Sequence, residues 1–394
     1  MRKIFVLTLS ITISSLLLAQ APPASGSGNA KGAAKGAGKG GGRGAPAVPG
    51  YEVSADRKVT FRLRAPEVST VTVAGDFATG AQTMTKGQDG VWTLTLGPLR
   101  PAIYNYRFTV NGIATSDPSN PMLGTADRGN GASLFEVKGD KPSPWSVQAV
   151  PHGNIHINTY VSKTMNAPRN IYVYTPPGYE TSTMRYPALY LMHGAGGSES
   201  SWVTAGKANL ILDNLIAEGR AKPMIIVMPY GRAGQSTTFG PAPVVVPEDQ
   251  KNLTFPNDVV PDVIEHAEKN YRIAAGADNR AIAGLSMGGN QTLIIGLNHL
   301  DLFHYVGAFS PVIMNANADR DFKSLLNDPS GANKKLKVFN IYIGKEDTLY
   351  MSNVNFHQLL DQHQIKHTFT ETEGAHVWWN WRDYLVDYAP RLFR

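Results

Sequence analysis

From residue 51 onward the apolar positions first run with a period of two. Val59, Phe61 and Leu63 alternate with polar neighbours, and so do Val71 and Val73, then Trp92, Leu94 and Leu96, then Tyr104, Tyr106, Phe108 and Val110. Turns holding Gly87, Gly90 and Asn111-Gly112 separate these runs. Short alternating strands joined by such turns predict a small antiparallel β-sandwich over residues 51–139. Lys141-Pro142-Ser143-Pro144 then reads as an extended connector, because proline also keeps the residue before it out of the helical region. Beyond Trp145 the pattern changes to strands alternating with helices. Strands are expected at 155–159, 170–174, 187–192, 224–228, 280–284, 305–309, 338–343 and 367–372, and helices at 207–218, 257–271, 287–297, 354–363 and 381–392. Ala188-Leu189-Tyr190-Leu191-Met192 is apolar throughout, as a strand must be when helices cover both faces of its sheet. The prediction for residues 145–394 is a doubly wound, mainly parallel sheet.

The first fifty residues differ from both patterns. Arg2 and Lys3 precede an apolar stretch of 15 residues from Ile4 to Leu18, with small residues at Ala19-Gln20-Ala21. A membrane span needs about 20 apolar residues, so residues 1–21 read as a secretory signal and the mature protein as secreted or periplasmic, without a membrane span. Residues 22–50 are almost wholly Ala, Gly, Pro, Ser and Lys and read as a flexible linker, since they lack the apolar side chains that offset ordering entropy. The six basic residues of this region, with no acidic ones, account for the whole formal charge of +6. The body is neutral, which excludes a nucleic-acid-binding reading built on charge. The chain has no cysteine, so disulfides, thiolate metal sites and a cysteine nucleophile are excluded.

The strand expected at 280–284 runs into Gly284-Leu285-Ser286-Met287-Gly288-Gly289 and then into a helix. A serine at such a strand-to-helix turn is held in a strained conformation, and near-side-chain-free positions two before and two after make room for it. Ser286 is therefore the candidate nucleophile. It needs a base, and the base needs an orienting acid, each placed after a later strand. Gly344-Lys345-Glu346-Asp347 follows one such strand and Glu373-Gly374-Ala375-His376 the next, giving His376 as base and Asp347 or Glu346 as acid. The oxyanion of an acyl-transfer intermediate requires two N–H donors. Met287 supplies one, and His193-Gly194-Ala195-Gly196-Gly197 supplies the other from Ala195, with Gly194 as its neighbouring alternative and His193 bracing the loop. Trp202, Trp379, Phe255 and the loop at 231–247 are candidate substrate-pocket elements, while Trp378, Trp381 and Leu385 share a helical face that reads as core. No His/Asp/Glu grouping has metal-ligand spacing, and the expected chemistry needs no cofactor.

Two resemblances follow from these residues. Val73-Ala74-Gly75-Asp76-Phe77, Gly90-Val91-Trp92, Tyr104-Asn105-Tyr106-Arg107-Phe108 and Asp117-Pro118 make the first segment similar to the early-set immunoglobulin-like domains related to glycogen-binding modules. Gly80 stands near where sugar-binding members often carry an exposed Trp, so glycan contact and a structural role are both open for this domain. From about residue 150 the chain resembles the esterase D-like family that contains the feruloyl and acetylxylan esterases of carbohydrate esterase family one. The loop at 193–197, Ala281 to Gly289, Gly344 to Asp347 and Gly374-Ala375-His376-Val377-Trp378 carry that likeness. It implies an α/β-hydrolase fold, Asp347 rather than Glu346 as the acid, and feruloylated or acetylated xylan oligosaccharides as substrates. Enterochelin-type siderophore esterases share the two-domain layout and supply an alternative. A non-catalytic carbohydrate-binding protein is the alternative outside enzymes.

Overall fold

The computed structural model describes residues 48–127, 130–232, 257–314 and 317–394. The expected signal, nearly all of the expected linker, Phe255 and the loop beyond Arg232 lie outside the described residues. The alternating segment forms two antiparallel sheets. One is ordered β1-β2-β6-β5, from β1 (Tyr51–Val53), β2 (Val59–Arg64), β5 (Thr85–Lys86) and β6 (Val91–Leu96). The other is ordered β4-β3-β7-β10-β9, from β3 (Val71–Gly75), β4 (Gln82–Thr83), β7 (Ala102–Val110), β9 (Leu123–Asp127) and β10 (Asn130–Val137), with β8 (Ile113–Thr115) also on β7. Tyr104, Tyr106 and Phe108 of β7 point inward, and rings of Phe61, Tyr106 and Phe135 pack within 5.6 Å of one another. This leaves Asn105 and Arg107 on the opposite face of β7.

The remainder is one eight-stranded sheet ordered β11-β12-β14-β13-β15-β16-β17-β18. Its strands are β11 (Asn154–Ser162), β12 (Ala167–Thr175), β13 (Ala188–Met192), β14 (Ile225–Pro229), β15 (Arg280–Leu285), β16 (Tyr305–Phe309), β17 (Val338–Gly344) and β18 (Thr368–Thr372). The first two are antiparallel to their neighbours and the rest are parallel. Every residue of β13 is buried: Tyr190 and Met192 enter the core under one face, Leu189 and Leu191 the core under the other. The expected α/β-hydrolase fold, preceded by a sandwich, is therefore the one adopted.

Proline accounts for two of the departures from the expected helices. The segment expected as one helix at 257–271 is helical over 257–270 but widens to a π-type turn over Val259–Val263 before continuing as an α-helix over Ile264–Asn270. Pro261 within it has no N–H to continue an α-helical ladder. The last helix spans Trp378–Tyr388 and ends in a 3₁₀ turn, Ala389–Arg391, that contains Pro390.

That last helix also holds the sandwich against the hydrolase. The buried Arg382 donates from Nη1 to the carbonyl of Ala205 at 2.6 Å and from Nη2 to the carbonyl of Ile103 in β7. Arg100 pairs with Asp383 at 2.7 Å and lies 4.2 Å over the ring of Trp379, which packs on the sandwich core.

Candidate active site

β15 ends at Leu285, and the next helix, Met287–Asn298, starts after a single residue. Ser286 makes that turn with φ 55° and ψ −117°, a conformation that L side chains rarely adopt and that costs of order 1–3 kcal/mol. Surrounding hydrogen bonds hold it. Its N–H donates to Phe309 at 2.9 Å, and its carbonyl accepts from Asn290 at 3.0 Å and Val312 at 3.1 Å. The two flanking glycines are there for close approach. A Cβ on Gly288 would lie 2.5 Å from the His193 carbonyl oxygen, and one on Gly284 would lie 2.5 Å from that of Gly288.

Asp347 and His376 follow β17 and β18, neighbouring parallel strands, so both loops emerge at the same sheet edge. Gly344 is needed there because a Cβ would overlap the Gly374 carbonyl oxygen. His376 Nδ1 lies 2.8 Å from Asp347 Oδ2, while Asp347 Oδ1 accepts from the Leu349 N–H at 2.9 Å. Asp347 is buried and Glu346 is exposed. The structure thus brings Asp347, not Glu346, against His376. With Nδ1–H given to Asp347, Nε2 is the nitrogen left for proton exchange. The imidazole stands edge-on to Trp381, with ring centroids 4.9 Å apart.

Ser286 and His376 open onto one cavity of about 260 Å³. Ala195 lines it too, and Met287, as the first residue of its helix, has an N–H without an acceptor inside the helix. A larger cavity, about 690 Å³, lies among the sandwich, the connector and Lys207 and contains none of these groups.

His193 sits wholly buried behind the loop. Its Nδ1 lies 2.8 Å from the Gly194 carbonyl, its Nε2 accepts from the Gly231 N–H at 2.9 Å, and its ring stacks on Tyr230. Burial holds its pKa down at about 4, so the imidazole is neutral and its two nitrogens take one donor and one acceptor role. It braces the loop, as expected.

Two expected pocket residues belong elsewhere. Trp202 is 1% exposed, donates from Nε1 to the Met192 carbonyl at 2.9 Å and packs against Phe309 and Trp378. It is a core residue. Trp379 faces the sandwich rather than the cavity, because a second body covers a helix face that local spacing had left unassigned. Instead Trp378 and Trp381 line the cavity. So do Asp76, Asn105, Arg107 and Ala132 of the sandwich, which sequence reasoning did not place at the site. The available signal was the polar alternation of β7 and the Gly75-Asp76 turn. Folding also gathers His357, Asp361 and His367, whose donor atoms lie within 4.8 Å of one another. They satisfy each other: His357 Nδ1 is 2.8 Å from His367 Nε2, and His367 Nδ1 is 2.8 Å from the Ile365 carbonyl. None of the three lines the cavity of Ser286.

Comparison with known proteins bears on this geometry. Residues 162–392 match the family described as "Putative esterase", and residues 49–122 match "Carbohydrate-binding module 48 (Isoamylase N-terminal domain)". The chain is 32% identical over 357 residues to an endo-1,4-beta-xylanase/feruloyl esterase of Xylanibacter ruminicola, covering 88% of this chain and 46% of that protein. It is 27% identical over 267 residues to endo-1,4-beta-xylanase Y of Acetivibrio thermocellus, covering 61% and 23%. The chain therefore spans less than half the length of these relatives. Among solved structures, a ferulic acid esterase of Anaeromyces mucronatus is similar at 28% identity and a TM-score of 0.55, covering 64% of this chain and 96% of that one. The enterobactin esterase of Shigella flexneri, at 18% identity, a TM-score of 0.62 and 86% and 94% coverage, shares the two-domain fold.

Proposed function

This chain belongs to the "Putative esterase" family and is by that membership a carboxylic ester hydrolase, and from this premise we propose that it is a secreted serine esterase releasing ferulate or acetate from xylan-derived saccharides. The observation that carries the proposal is the shared cavity. It is lined by Ser286 in its strained turn and by His376, whose Nδ1 lies 2.8 Å from the buried Asp347.

His376 Nε2 takes the proton of the Ser286 hydroxyl as its oxygen attacks the ester carbonyl. The N–H groups of Ala195 and Met287 receive the negative charge that develops on the carbonyl oxygen. His376 then returns the proton to the departing alcohol, leaving an acyl group on Ser286. Water, deprotonated by His376, attacks that acyl carbon, and the acid product leaves as Ser286 regains its proton. Asp347 keeps the imidazole in the tautomer this cycle needs and stabilises its charged form.

The preference for a saccharide ester draws on the relatives named as feruloyl esterases and on the carbohydrate-binding-module match. Export draws on the leader at residues 1–21. Among the described residues no helix is long and apolar enough to cross a membrane. The test compares methyl ferulate, acetylated xylan and a catecholate siderophore as substrates, with Ser286→Ala as control. Hydrolysis led by methyl ferulate or acetylated xylan, and abolished in a folded Ser286→Ala, is expected. A siderophore preference would replace the substrate assignment, and retained activity in Ser286→Ala would remove the mechanism.

A further inference from the structure

The sandwich supplies a polar wall to the cavity, and part of its hydrogen-bonding capacity is unspent. Asp76 Oδ2 accepts twice from Asn105, from the backbone N–H at 3.1 Å and from Nδ2 at 2.7 Å, while the Asp76 N–H donates to the Asn105 carbonyl at 3.2 Å. The carboxylate is thereby fixed in orientation, yet its Oδ1 has no partner among the described residues. Burial pushes its pKa up, against hydrogen bonds from Asn105 and the charges of Arg382 and Arg107. Arg107, two residues along β7 on the same face as Asn105, lines the cavity and makes no ion pair or hydrogen bond among the described residues. The guanidinium, with five donors, and the carboxylate thus line the same cavity close enough to feel each other's charge, each with hydrogen-bonding capacity that no other described residue uses.

The wall is also held in place. Arg382 reaches the Ile103 carbonyl in β7 itself, and Trp379, Arg100 and Asp383 clamp the same edge of the sandwich to the helix that follows His376. Asp76 and Arg107 therefore stand at a set position relative to Ser286, as a recognition site requires.

We propose that the sandwich is one wall of the active site, with Arg107 and Asp76 binding neighbouring hydroxyl groups of the sugar that carries the ester. The inference rests on the esterase reading of Ser286. Sugar hydroxyls both donate and accept, so adjacent hydroxyls complement a donor fork beside a free carboxylate oxygen. A simple alkyl alcohol offers nothing to either group. The two residues thus select saccharide esters, and the N-terminal domain acts at the reacting bond rather than as a remote anchor.

The experiment measures kcat/KM for a feruloylated xylo-oligosaccharide and for methyl ferulate, and reads their ratio. In Arg107→Gln and in Asp76→Asn the ratio is expected to fall roughly ten- to hundredfold, mainly through KM on the saccharide ester, as loss of a hydrogen bond to a charged group implies. Arg107→Lys, which keeps the charge but not the planar fork, should recover part of the ratio. Arg62→Gln, on the other sheet and paired with the exposed Glu52, controls for general loosening of the sandwich and should keep the wild-type ratio. A ratio unchanged in both Arg107→Gln and Asp76→Asn, or equal losses on both esters, overturns this inference while leaving the esterase reading intact. Failure of the wild-type protein to hydrolyse either ester overturns the esterase reading and this inference with it.

Discussion

His193 makes the hydrolase acid-sensitive in a way that can be isolated. In the folded protein its pKa is held at about 4 by burial, against an ordinary value of 6.5. Its neutral form is matched on both sides, Nδ1–H to the Gly194 carbonyl and Nε2 to the Gly231 N–H. A second proton, on Nε2, would face a donor and lose that bond. Between pH 6.5 and 4 the unfolded chain carries this proton and the folded one does not, so protonation favours unfolding. The contribution is complete above about pH 6.5 and is lost as pH falls to about 4. At about 1.4 kcal/mol per pH unit, the loss amounts to about 3 kcal/mol. His193→Gln removes the titration while placing an amide oxygen near the former Nε2. Urea unfolding of both proteins between pH 4 and 8 provides the assay, with the remaining titratable groups common to the two. Wild type should lose about 3 kcal/mol more than the variant on acidification from pH 7 to 4. Parallel pH profiles would refute the argument and place His193's burial or tautomer elsewhere.

Other changes have outcomes of similar definition. Asp347→Asn should lower kcat on methyl ferulate by about 10⁴, as in other triads that lose the tautomer-setting acid, whereas Glu346→Gln, exposed and clear of His376, should leave it unchanged. Gly344→Ala should reduce both activity and thermal stability, since its Cβ must displace the Gly374 carbonyl beneath the His376 loop; full activity would show that the two loops do not approach as described. Trp379→Ala should cost about 3 kcal/mol in urea unfolding, the lower end for a large aromatic because the ring is only partly buried, with loss of its stacking under Arg100.

Much of this architecture is legible because its causes are local. β13 is apolar from end to end and β15 is apolar beyond its opening Arg280, since both faces are covered, and Gly284 and Gly288 mark the turn because backbone passes where their side chains would be. The four-residue helix Ser201–Thr204 and the short helices between 318 and 335 escaped notice, being shorter than any periodicity can reveal. The last of them nonetheless carries a readable start, with the Asp328 carboxylate accepting the Gly331 N–H at 2.9 Å just before Pro329. The pocket was harder for a different reason. Helical spacing assigned Trp378 to the core and left Trp379 free, but the sandwich covers Trp379, and Trp378 reaches the cavity as well as Trp202. Arg107 and Asp76 likewise become site residues only through a contact between two domains, which no local pattern encodes.

The central claim, that ester cleavage proceeds through an acyl group on Ser286, can be tested by acid-quenching the enzyme during turnover of methyl ferulate and mapping its peptides by mass spectrometry. The account predicts a feruloyl adduct confined to the peptide containing Ser286 and absent from Ser286→Ala. A feruloyl adduct on another residue, or steady turnover in Ser286→Ala, would contradict it.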